Sequence, residues 1–87
     1  YETIHGTVAS LRLDSLLSLA FGSSRSSLTS LVENGSVYVN GRLTTSNGYK
    51  LKENDIISVR GYGKFKYCQT LSETRKGRLS VELQRYK

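Results

Sequence analysis

The chain has 87 residues, 13 Lys+Arg against 7 Asp+Glu, a formal net charge of +6, one His, one Cys and no Pro, Met or Trp. That length supports one small core. One Cys and one His exclude a disulfide framework and a structural zinc site, and no apolar run is long enough to read as a membrane helix.

In chain order, residues 2–9 carry Ile4, Gly6 and Val8, the pattern of a weak strand or an ordered arm. Ser10 is placed to cap a helix predicted over 11–21, in which Leu13, Leu16, Leu17 and Ala20 share one face and Gly22 is the stop. Ser23 or Ser24 caps a second helix over 25–34, with Leu28, Leu31 and Val32 as its apolar stripe and Asn34-Gly35 as its end. The period then drops to two. Val37 and Val39 precede Asn40-Gly41, a two-residue hairpin signal, and residues 42–44 return. Asn47-Gly48 and Lys52–Asp55 read as turns, and Ile56–Arg60 as a strand. Residues 64–71 and 78–85 read as strands flanking a turn, with Phe65 and Tyr67 alternating with Lys64 and Lys66. The class is α+β: two N-terminal helices packed on a small antiparallel sheet with a C-terminal β-hairpin.

Charge is unevenly distributed. Residues 1–59 balance five basic against five acidic side chains, whereas residues 60–87 hold eight against two, which is the whole excess. A polyanionic partner is the functional reading of such a tail. A solvated, aggregation-resistant strand pair is the structural one.

Catalysis finds little support. His5 lies in the first strand or arm with no motif around it, and Cys68 sits mid-strand as a small packed side chain. Gly61 and Gly63 lack the context of a phosphate-cradling loop. Arg60–Tyr67 superficially follows the aromatic RNA-binding pattern of an RRM sheet. Lys64, however, stands where that pattern needs an aromatic, and the helix and strand that should follow are missing. The stronger arrangement joins arginines to helix starts. Arg12 opens the first helix, and Arg25 opens the second among Ser24, Ser26 and Ser27. Arg42 follows the hairpin turn. Free N–H groups at helix starts and guanidinium forks both suit phosphate.

Leu11-Arg12-Leu13-Asp14, Ser24-Arg25-Ser26, Asn34–Arg42, Tyr49-Lys50-Leu51 and Asn54–Val59, in this order and spacing, resemble the S4 RNA-binding domain. The tail from Gly61 to a Thr-Arg-Lys-Gly-Arg hairpin looks like the YlmH-type branch, in which this domain closes a longer protein; the absence of Met fits such a fragment. The resemblance implies the α-L RNA-binding fold, with a core at about 10–60 and a hairpin extension at about 61–87. It implies a cytoplasmic, non-enzymatic module without cofactor, metal or small-molecule substrate. Structured RNA, ribosomal RNA or tRNA, would dock it on the ribosome, at the large subunit by the YlmH-type likeness.

By the family pattern, Arg12, Ser24, Arg25, Ser26, Asn40, Gly41, Arg42 and Lys50 line the RNA groove, and Asp14 orients Arg12 or caps locally. One departure is that Thr29, Ser30 and Glu33 stand where the family's second helix usually shows Lys or Arg. Lys64, Lys66, Arg75, Lys76 and Arg78 of the hairpin are expected to compensate. The competing class is a protein-interaction scaffold with reduced RNA affinity.

Overall fold

The computed structural model describes residues 1–22 and 25–86. In chain order it runs β1 (Glu2–Val8), α1 (Leu13–Phe21), α2 (Arg25–Glu33), β2 (Val37–Val39), β3 (Arg42–Leu43), β4 (Ile56–Val59), β5 (Gly63–Glu73) and β6 (Leu79–Tyr86). The strands form one sheet in the order β1-β6-β5-β4-β2-β3, with every neighbouring pair antiparallel. The α+β architecture expected from the sequence is what forms.

Period-two alternation makes one face of this sheet apolar. Val37, Val39, Ile57, Val59, Phe65, Tyr67, Val81 and Leu83 are buried on it. The stripes of α1 (Leu13, Leu16, Leu17, Ala20) and α2 (Leu28, Val32) complete the same core, and Phe21 meets Phe65 edge-on at 5.6 Å. The helices therefore cover one face, and the alternate residues of each strand point to the other.

The weak N-terminal strand becomes an edge strand, held by the far end of the chain. β1 pairs with β6 from Glu2↔Arg85 to Val8↔Leu79. At Gly6 α1 comes close: a Cβ there would stand 2.4 Å from Leu19 Cδ1, so any larger residue would require the Leu19 side chain to shift. Arg85 points inward from β6. Its Nη1 donates to the Ala20 carbonyl at 3.0 Å, and its Nη2 donates to the Glu2 carboxylate. A cation at the end of α1 also suits the helix dipole.

β5 runs on to Glu73, past the predicted end. Register shifts at Tyr67/Gln69 and Thr70/Ser72 let it keep pairing with β6. Those bulges disrupt the strict alternation on which the prediction rested.

The helix stops follow the sequence. Gly22 takes φ 67° with its N–H on the Ser18 carbonyl. Gly35 takes φ 86°, and Ser36 N–H returns to the Leu31 carbonyl. The start of α1 does not. Ser10 is not its cap: Arg12 occupies the N-cap position, extended at φ −79° and ψ 148°, with no side-chain capping bond. The reason is tertiary, because residues 11–13 run antiparallel to 49–51. Leu51 N–H donates to the Leu11 carbonyl and Leu13 N–H to the Tyr49 carbonyl, both at 2.9 Å. The chain thus stays extended to Arg12.

Candidate nucleic-acid interface

Arg12 and the loop facing it form the best-defined part of the site. Arg12 Nε donates to Asp14 Oδ1 at 3.2 Å and Nη2 to Oδ2 at 3.1 Å, a two-point fork. Ser15 N–H also donates to Asp14 Oδ1, at 2.8 Å. The Asp14 side chain is only 5% exposed against 45% for Arg12. The carboxylate is thus an internal anchor, and the guanidinium is the part that meets solvent. Asp14 both orients Arg12 and caps locally, as the sequence suggested.

Gly48 lies beside the guanidinium, at ordinary contact distance. A Cβ there would lie 3.8 Å from Arg12 Cζ and Nη2. Lys50 bridges Arg12 across the short antiparallel contact and is exposed. Tyr49, between them, is 41% exposed. Tyr49 is not among the residues the family pattern marks; its signal in the sequence is an aromatic between the Asn-Gly turn and Lys50. Asn47 Nδ2 contacts Glu33 Oε2 at 3.4 Å and ties this loop to the end of α2.

One expectation about phosphate is corrected here. The first N–H groups of α1 are not available to a ligand. Leu13 N–H is taken by the Tyr49 carbonyl and Asp14 N–H by the Asn47 carbonyl. Ser15 N–H is taken by the Asp14 carboxylate. What this helix start leaves exposed is the Arg12 side chain.

The hairpin forms as the sequence predicted. Asn40 (φ 52°) and Gly41 (φ 82°) make the turn, and Val39 pairs with Arg42. Paired residues share a face, so Arg42 lies on the helix-bearing side with Val39, at the free edge of the sheet. Asn40 is exposed, but both ends of its side-chain amide are bonded within the protein. Its Nδ2 donates to Asp55 Oδ1 at 2.9 Å, and its Oδ1 accepts Ile56 N–H at 2.9 Å. Asp55 Oδ2 accepts Lys52 N–H at 2.8 Å. These bonds lock the turn to the start of β4 and leave Gly41 and Arg42 exposed.

Ser24 and the Arg25 side chain lie outside the described residues. Ser26 is exposed in the first turn of α2, and its carbonyl accepts the Thr29 and Ser30 hydroxyls. The tail cations do not share one patch. Lys64 and Lys66 alternate with buried Phe65 and Tyr67, so they occupy the helix-free face, where Lys64 Nζ sits 5.5 Å from the Tyr86 ring centroid. Arg75 and Lys76 are exposed at the hairpin tip. Arg78 folds back on β1, with Nη2 donating to the Thr7 carbonyl at 3.0 Å.

The remaining candidates have structural settings. Tyr62 packs edge-on against Phe21 at 5.6 Å. His5 is exposed, 3.4 Å from Glu82. Burial raises the Cys68 thiol above its ordinary pKa. The Glu82 carboxylate adds to this, and Lys66 pulls the other way. Among the described residues no group of three or more His, Cys, Asp or Glu could hold a metal, and no helix is long and apolar enough to cross a membrane.

A family model described as S4 domain matches residues 11–57. Over 81 residues the chain is 35% identical to "Ribosome-associated protein quality control protein P2" of Bacillus subtilis, an alignment covering 93% of this chain and 32% of that protein. It is 38% identical over 55 residues to "Small ribosomal subunit protein uS4" of Shewanella loihica, covering 62% of this chain and 27% of that protein. The chain spans about a third or less of the length of these curated relatives.

Proposed function

The chain belongs to the S4 domain family, and from that premise we propose that it is an RNA-binding, ribosome-associated module without chemistry of its own. Both relatives carry ribosomal names, which supports this reading. It docks a longer protein on structured RNA, ribosomal RNA or tRNA, at the large ribosomal subunit. The core at about 10–60 supplies the contacts, and the hairpin at about 61–87 extends the sheet.

The carrying observation is the Arg12 fork. A guanidinium anchored by a buried carboxylate, beside Gly48 and flanked by Lys50, is preorganised to meet a phosphate. Gly41 and Arg42 of the hairpin, and by the family pattern Ser24, Arg25 and Ser26, add to the RNA-binding set. Recognition proceeds through backbone and shape, since the deep groove of A-form RNA is closed to side chains. Asn40 acts by holding the hairpin. Lys64, Lys66, Arg75 and Lys76, spread over the other face and the tip, add long-range attraction.

The test is a salt titration of binding to a structured RNA hairpin. Four groove cations (Arg12, Arg25, Arg42, Lys50) give a slope of log K against log salt of about −2.8 to −3.6. Arg42→Ala should make the slope shallower by about 0.7–0.9. Salt-independent binding, or none, would replace this reading with a protein-interaction scaffold.

A further inference from the structure

Arg12 also borders a second feature, a cleft of about 530 Å³ between the β1–α1 connection, the outer side of α1 and the start of β6. Arg78 lines it together with Arg12, and Ser10, Ser15, Ser18 and Leu19 contribute walls. Each guanidinium is held by two hydrogen bonds, Arg12 by a carboxylate and Arg78 by neutral oxygens. Arg12 uses Nε and Nη2 on Asp14, and Arg78 uses Nε on the Thr7 hydroxyl and Nη2 on the Thr7 carbonyl. Nη1 of each takes no part in these bonds. Among the described residues, no Asp or Glu lines the cleft.

We propose that this cleft is a subsite for a single unstacked nucleotide of the bound RNA, its phosphate between Arg12 and Arg78 and its ribose hydroxyls against the serines. The inference rests on the RNA-binding reading above and extends it to a place that Arg12 alone of the groove cations reaches. Three observations carry it. Arg12 is charge-paired with Asp14, but Arg78 bonds only to the neutral oxygens of Thr7, so the cleft keeps a net positive charge that suits an anion. Hydroxyl-bearing walls (Ser10, Ser15, Ser18) beside the aliphatic side chains of Val8, Ala9 and Leu19 suit a sugar. The volume is in the range of about 300–1,000 Å³ typical of small-ligand clefts, so one nucleotide enters where a duplex does not. Because Arg12 faces both the groove and the cleft, the RNA passes from paired to unpaired geometry at that residue.

The experiment measures fluorescence anisotropy of the 87-residue chain with two probes. One is a labelled RNA hairpin with a single-stranded 3′ tail, and the other is the same hairpin cut blunt. Ser18→Leu fills the cleft without changing charge and raises helix propensity. It should weaken the tailed probe about tenfold and leave the blunt probe unchanged. Arg78→Gln should make the salt slope on the tailed probe shallower by about 0.7. A thermal melt checks the fold of each variant. The cleft assignment is overturned if Ser18→Leu leaves the tailed probe unaffected or weakens both probes alike, or if Arg78→Gln leaves the slope unaltered. Failure of the unmodified chain to bind either probe overturns the RNA reading itself, so the two failures are distinguishable.

Discussion

Asp14 is a buried carboxylate in a domain whose partner is proposed to be an anion, and its value lies in geometry. It fixes the Arg12 fork and receives Ser15 N–H, so the charge it removes from the surface is returned as orientation. Asp14→Asn separates the two effects. If net charge governed binding, losing an anion would tighten RNA. If the fork governs, RNA affinity falls several-fold and stability drops by about 1–3 kcal/mol, as expected when charge-assisted bonds are lost. Urea melts and anisotropy with a hairpin RNA read the two quantities separately. Cys68 gives a second test. Its thiol titrates above the ordinary value because burial and the Glu82 carboxylate disfavour the thiolate. The thiolate is the reactive form, so iodoacetamide should label Cys68 more slowly than free cysteine near neutral pH. The rate should climb only as the pH passes above the usual thiol range. Labelling as fast as the free amino acid would contradict the described burial.

At the scale of elements, the helix stops and the start of α2 were legible, and the start of α1 was not. Gly22 and Gly35 terminate the helices because positive φ is a local property that one residue can signal. The start of α1 depends on carbonyls of Asn47 and Tyr49, more than thirty residues away, which no capping residue announces. The Asn40-Gly41 turn was legible for the same local reason as the stops. The use of the Asn40 side chain to anchor β4 was not, because its partners Asp55 and Ile56 come from the far side of an irregular segment. Arg85 illustrates the same limit. It reads as one more cation of a basic strand, yet it joins β6, β1 and the end of α1. Arg85→Leu should lower stability by about 1–2 kcal/mol, mainly through the lost bond to the Ala20 carbonyl. Its effect on the salt slope of RNA binding should be negligible. Denaturant melts and the salt titration together check this, and a shallower slope would return Arg85 to the RNA surface.

For the molecule as a whole, the C-terminal segment is part of the core as well as a source of charge. The family match ends at residue 57, but Phe65, Tyr67, Val81 and Leu83 are all at most 1% exposed. Each contributes burial of the order of 1.5–3 kcal/mol. A chain ending at residue 62 should therefore lose cooperative unfolding and amide dispersion in NMR spectra. A well-dispersed spectrum from that truncation would show the matched region to be self-sufficient.

The sequence by itself determined the two amphipathic helices, their glycine stops, the hairpin turn, most strand positions and the family. Each of these is written in short-range periodicity or in residues whose backbone preferences act locally. It also located the whole +6 excess in residues 60–87. Only the tertiary structure decided where that charge points. Strand alternation sends Lys64 and Lys66 to the face away from Arg12, the turn carries Arg75 and Lys76 to the tip, and sheet closure folds Arg78 onto β1 and Arg85 inward. The pairing of β1 with β6 and the docking of residues 47–51 on the start of α1 were likewise decided there. Such contacts join segments far apart in the chain, and their partners are chosen by the closure of a common core.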